Sequence, residues 1–228
     1  MVAICKATGI GFGAILGASW GANDTIVFAR RTGEGLWQVS ADGGDPRPLT
    51  TLDVKKGEVS HRLPHILPDG QAVLFTVQRA PFRWDNAQVV VRSLVTGDQT
   101  VLIEGGTDAR YVPSGHLLYA RLGTLMAAPF DVARLKVTGA SVAIVDDVMQ
   151  AENASQGDIN TGAAQFSVSS WGALVYVPGG VIPSAERSLV WVDRAGRIQP
   201  LLDRRTCPGE YTGAGVRPAS RDLDWRDD

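Results

Sequence analysis

Cysteine is nearly absent. Cys5 and Cys207 are the only two in 228 residues, they stand near opposite ends, and neither has a Cys or His neighbour at ligand spacing. A disulfide framework and a zinc motif are thereby excluded, and both are read as free thiols. An excess of one charge is also lacking: 22 basic side chains face 24 acidic ones, a formal net charge of -2. That balance gives no electrostatic footprint for nucleic acid. No apolar run reaches membrane-spanning length, and the longest, residues 7–20, is broken by Gly9, Gly11, Gly13 and Gly17. Lys6 ahead of this run gives it a loose likeness to a signal peptide, but no small-x-small cleavage site follows. No segment longer than a turn or two shows a 3.6-residue apolar period, so helices are not expected.

What the sequence has instead is a repeat. One phrase recurs at residues 19–28, 65–75, 111–119 and 166–176: a turn followed by an apolar strand ending in an aromatic, namely Phe28, Phe75, Tyr119 and Tyr176. Those aromatics are separated by 47, 44 and 57 residues, near the roughly 40 to 50 of a four-stranded propeller blade. A second apolar strand follows each aromatic, at residues 35–40, 87–92, 123–128 and 188–193. Turns at 41–44, 95–98, 136–139 and 194–197, each containing glycine, lead to a third strand at 48–50, 100–103, 142–145 and 198–202. The expected fold class is therefore all-β: a β-propeller of about four complete blades plus partial blades, open or completed by a second copy.

Leu67-Pro68-Asp69-Gly70 with its apolar strand, the Leu36-Trp37-Gln38-Val39 strand, the Gly43-Gly44 turn and Pro48-Leu49-Thr50 resemble the repeat of TolB-like β-propellers. Related propellers occur beside bacterial Ser/Thr kinases and on peptidases. The resemblance covers about residues 4–202 and implies a binding or scaffolding module outside the cytoplasm. Residues 4–7 resemble the closing strand of a preceding blade. Residues 1–205 are assigned to the repeats. Residues 206–228 have neither the turn phrase nor an alternating strand, and are expected to be a disordered tail left by truncation or a shifted reading frame.

Gly17-Ala18-Ser19-Trp20-Gly21 matches G-x-S-x-G, the pattern that presents a nucleophilic serine on a strained strand-to-helix turn. Here a strand follows at residues 24–29, and Ser19 begins the first repeat turn, so a structural role is the favoured reading. The alternative is a serine esterase in which His116 is the base that activates Ser19, and Asp69 or Asp108 orients that histidine. All three histidines are otherwise read as turn or packing residues. His61 and His65 have i, i+4 spacing, but Pro64 opposes the helix that would align them and no glutamate lies between. No metal is expected. Neither Gly105-Gly106 nor Gly43-Gly44 has phosphate-loop spacing, and no cofactor is expected.

Trp37 and Trp191 fall at equivalent strand positions, which favours packing between blades. Phe82, Arg83 and Trp84 occupy a polar loop, and Trp84 is the candidate exposed aromatic for contact with a protein partner or small ligand. The insertion at 147–165 is a second candidate contact loop, because binding residues concentrate on loops held by a rigid scaffold. Open propeller edges make association of copies a further expectation.

Overall fold

The structure is a computed structural model. It describes residues 16–80, 83–150, 161–169, 171–181, 190–192 and 197–200. Two compact units are distinguished, Met1–Ala185 and Glu186–Asp228.

In the first unit the chain runs as consecutive antiparallel meanders. β1 (Ala18–Trp20), β2 (Thr25–Ala29), β3 (Leu36–Ser40) and β4 (Gly43–Pro48) form one sheet in that order. The next contains β5 (Ser60–Ile66), β6 (Ala72–Gln78), β7 (Gln88–Ser93) and β8 (Gln99–Glu104). The third is built from β9 (Thr107–Val112), β10 (His116–Arg121) and β11 (Thr124–Asp131), with β12 (Lys136–Val137) and β13 (Val142–Val145) both pairing β11. The fourth repeat contributes β14 (Phe166–Val168) and β15 (Leu174–Tyr176). The second unit contains β16 (Val190–Val192) paired with β17 (Ile198–Pro200). Among the described residues no helix is long and apolar enough to cross a membrane.

Packing makes these sheets propeller blades. Side chains of a strand alternate between its two faces, and in β2, β6 and β10, the second strands of the first three meanders, both faces are largely apolar and buried. On β6, Val73, Phe75 and Val77 pack with Val27, Ala29 and Leu36 of the first sheet. The intervening Ala72 and Leu74 pack with Leu117 and Phe130 of the third. Val112, Leu118, Ala120 and Leu125 of the third sheet pack in turn with Phe166 of the fourth repeat. A sheet sandwiched between neighbours reads as a continuous apolar run, which is why residues 72–78 are buried without exception. The last strands, β4, β8 and β13, are mostly exposed. The protein is a β-propeller.

The four repeat phrases are the hairpins that join the first strand of each blade to the second. In each, an amide bonds back to the carbonyl three residues earlier: Asp24 to Gly21 (3.2 Å), Gly70 to Leu67 (2.9 Å), Gly115 to Val112 (3.0 Å) and Gly172 to Ser169 (3.0 Å). The donating residue has positive φ in all four cases, from 56° at Asp24 to 92° at Gly172. Glycine takes that conformation freely and Asp is among the few other residues that tolerate it.

Two strand boundaries differ from expectation. β4 begins at Gly43 rather than after the glycine pair, because Gly43 already pairs with Ser40 across a two-residue turn. It ends at Pro48, where Leu49 and Thr50 turn inward to donate to the Leu36 carbonyl. The larger difference is that each repeat has a strand ahead of its turn phrase, and β5 and β9 are full-length strands where none was expected. Residues 4–7 and 206–228 lie outside the described residues.

Candidate functional site

The first strands carry a shared irregularity. On β5, Arg62 pairs Thr76 and His65 pairs Leu74, so Leu63 and Pro64 together oppose Phe75. On β9, Thr107 pairs Ala120 and Arg110 pairs Leu118, so Asp108 and Ala109 oppose Tyr119. Each is a β-bulge in which one extra residue re-aims the strand. The first residue of each bulge takes positive φ, 51° at Leu63 and 50° at Asp108. Such backbone is costly for these side chains and persists only where surrounding contacts hold it. The Leu63 amide donates to Leu16 O at 2.9 Å, and the Asp108 amide to Thr76 Oγ1 at 3.0 Å. Gly17, with φ of 115°, lies against the first bulge, where a Cβ would stand 2.8 Å from Leu63 Cα.

Pairing aligns one position across the four blades. Ser19 pairs Val27, His65 pairs Leu74, Arg110 pairs Leu118 and Ser167 pairs Val175. In every case the partner is the residue before the repeat aromatic. These four polar residues line a single cleft of about 590 Å³ between the first strands, within the size range of small-molecule sites.

The electrostatic centre of the cleft is an ion pair. Asp108 is buried, and its carboxylate accepts from Arg110 Nε at 3.3 Å and from Arg110 Nη2 at 3.0 Å. The Ala164 amide adds a third bond, to Oδ2, at 3.0 Å. Arg110 also donates from Nη1 to Phe166 O at 2.7 Å, and its guanidinium stands 4.2 Å from the Phe166 ring centroid. The cation is thereby fixed from three sides. His65 is held neutral at physiological pH: burial first, and the Arg110 charge second, push its pKa down to about 4 against a smaller opposing pull from Asp108.

Ser19 and Asp108, proposed from sequence, thus share the cleft, and the histidine beside them is His65. His116 does not join them. It lies on β10, the second strand of its blade, where Nδ1 is 2.9 Å from Ser114 O, and it is not among the residues lining the cleft. Ser19 sits within β1 rather than on a strand-to-helix turn, and its Oγ accepts the Ile66 amide at 2.9 Å. Among the described residues no hydrogen bond joins Ser19 to a histidine. Asp69 caps its own turn, accepting from the Gln71 amide at 3.0 Å.

Trp84 is not the exposed aromatic expected of its polar loop. Only 3% of it is exposed, because the indole lies against the Gly162 backbone, where a Cβ would approach to 2.6 Å, and carries the Arg62 guanidinium 5.3 Å from its centroid. The polar loop closes over a cationic interior contact. Arg83 is exposed and bound to Asp85 through two nitrogens, an arrangement that raises the pKa of the arginine and lowers that of the aspartate. Phe82 lies outside the described residues.

His61, paired by spacing with His65, serves another purpose. It is buried between the first two blades, with Nδ1 2.7 Å from Thr50 Oγ1 and Nε2 3.1 Å from Glu58. Thr50 Oγ1 also accepts the Leu36 amide at 2.7 Å. Burial outweighs Glu58 and lowers the His61 pKa. The neutral ring with its proton on Nε2 satisfies every partner, and the chain of bonds ties blade to blade.

Sequence reasoning missed His65, Arg110 and Ser167 as site residues. A signal was present: each, like Ser19, stands five residues before the positive-φ residue of its hairpin turn.

No protein-family model matches the chain, and no curated protein matches it. Among solved structures it is similar to regucalcin, a calcium-binding protein from Agrobacterium tumefaciens, at 12% identity and a TM-score of 0.49, over 80% of this chain and 57% of that one. It is similar to an auxiliary nutrient binding protein from Bacteroides thetaiotaomicron at 10% identity and a TM-score of 0.48, over 82% and 46%. A puromycin-hydrolyzing peptidase from Mycobacterium tuberculosis matches at 18% identity and a TM-score of 0.40, over 52% and 22%. The chain spans less than two thirds of each of these structures. The fold and the cleft together define the class: a β-propeller with a polar cleft walled by the first strands of four successive blades.

Proposed function

We propose that this propeller is a binding module that takes a small polar ligand into the cleft between its first strands, without catalysing a reaction on it. The observation that carries the reading is the alignment of Ser19, His65, Arg110 and Ser167 at one repeat position facing one cavity. A polar residue at a position that packing does not demand, repeated in four blades, is how a rigid scaffold offers convergent hydrogen-bonding groups. The repeat phrase supports a TolB-like relationship, and with it a location outside the cytoplasm.

Thermal-shift titration with a panel of small polar compounds tests the reading on the full chain. At least one compound should raise the Tm of the wild type and leave that of Ser167→Trp, which fills the cleft from an exposed position, unchanged. Equal shifts in both proteins place binding elsewhere and overturn the reading.

A serine hydrolase is the second reading, favoured by one observation: Ser19, His65 and Asp108 line the same cavity. Turnover of p-nitrophenyl esters by the wild type, abolished in Ser19→Ala, would establish it in place of the first.

A further inference from the structure

Hydrogen-bonding capacity in the cleft is divided unevenly between donors and acceptors. The one carboxylate, on Asp108, already takes three bonds from Arg110 and Ala164, and 7% of its side chain is exposed. Arg110 is the open half of the pair, with 33% of its side chain exposed. Of the five N–H groups of a guanidinium, three are engaged by Asp108 and the Phe166 carbonyl, which leaves two. The hydroxyls have the same bias. Ser19 Oγ accepts the Ile66 amide and Ser169 Oγ accepts the Ala173 amide, so each keeps its own hydrogen to donate. Ser167, on β14, is exposed. A ligand that desolvates these groups must bring acceptors, or it leaves donors unpaired.

Resting on the reading of the cleft as a binding site, we propose that its ligand is a small carboxylate-bearing molecule, anchored through its oxygens by the free N–H groups of Arg110 and by the serine hydroxyls around it. A planar, delocalised cation already fixed by its neighbours loses little freedom in making such bonds, and bonds of this kind to an anion are the stronger sort. Asp108 and Arg110 cancel in formal charge, and they are the only charged side chains among the described residues lining the cleft. His65 supplies the balance: neutral when the cleft is empty, it gains from an adjacent anion a reason to take up a proton.

The experiment is an amide-resolved NMR titration of the full chain with succinate, inorganic phosphate and glucose separately, at millimolar concentration. Succinate should perturb the amides of Ser19, His65, Arg110 and Ser167, bind about tenfold more weakly to Arg110→Gln, bind measurably more weakly to Ser167→Ala, and tighten as the pH falls below neutrality. Ser167→Ala removes only an exposed hydroxyl, so it remains decisive if Arg110→Gln fails to fold. Phosphate binding in place of succinate overturns the carboxylate assignment. Glucose perturbing the same amides while succinate does not overturns the anionic class but leaves the cleft a binding site. Perturbation by none of the three overturns both.

Discussion

Asp108 and Arg110, two residues apart on β9, form a bidentate ion pair because the chain between them is bulged and Asp108 takes a φ of +50°. In a regular strand, residues i and i+2 share a face but stand side by side. The bulge turns the carboxylate so that it meets the guanidinium along its Nε and Nη2 edge, and the Ala164 amide completes the carboxylate's shell.

Removing that carboxylate should therefore show both a charge effect and a backbone effect. Asp108→Ala leaves Arg110 without its main partner and a β-carbon still in the left-handed region, and should cost about 2–4 kcal/mol. Asp108→Gly suffers the same electrostatic loss without the backbone strain, and should be about 1 kcal/mol more stable than Asp108→Ala. Urea unfolding midpoints of the two variants beside the wild type check the ordering.

Acid should destabilise the fold in a window set by its histidines. The His65 pKa lies near 4 in the folded protein against 6.5 as the ordinary value, so between those limits the unfolded chain binds a proton that the native state refuses. Stability falls as pH drops from about 6.5 to about 4, by roughly 3 kcal/mol from this residue. His61, also lowered by burial, acts in the same direction. Stability measured against pH should decline less steeply in His65→Gln than in the wild type; parallel curves would count against a neutral His65.

Gly17 is expected to be irreplaceable for a reason that does not extend to glycines in general. A methyl group there meets Leu63 Cα at 2.8 Å on a backbone with φ of 115°, so Gly17→Ala should cost at least about 2 kcal/mol. Gly33 also has positive φ, 86°, but nothing lies within 4 Å of a Cβ added to it. Gly33→Ala should cost about 1 kcal/mol. Differential scanning calorimetry of the pair separates crowding from conformational strain.

Thr50→Val keeps shape and removes the hydroxyl that accepts the Leu36 amide and bonds His61. With that amide left buried and unpaired, a loss of about 1–3 kcal/mol is expected, together with faster hydrogen exchange at Leu36.

The strands legible in the sequence were those that packing makes apolar. Residues 72–78 and 88–93 sit between neighbouring blades, and burial on both faces writes itself as runs such as Val73-Leu74-Phe75 and Val89-Val90-Val91. The first strands were not legible for the opposite reason. β5 reads Ser-His-Arg-Leu-Pro-His-Ile and β9 reads Thr-Asp-Ala-Arg-Tyr-Val; they face a polar cavity on one side and are interrupted by bulges, so neither alternation nor an apolar run survives. The site lies on these strands, so no apolar pattern marks His65 and Arg110 as its members; His116 is the histidine that the hydrolase order of serine, aspartate and histidine along the chain selects. Trp84 misled for a local reason: its neighbours Arg83, Asp85 and Asn86 are polar and exposed, while its own side chain turns inward beneath Arg62.

Because Ser19, His65, Arg110 and Ser167 occupy one position in four copies of the same unit, the cleft is spelled with one letter per blade. The hairpin turn of each unit holds its strand in place whichever letter stands there, so ligand preference can drift blade by blade while the architecture is inherited unchanged.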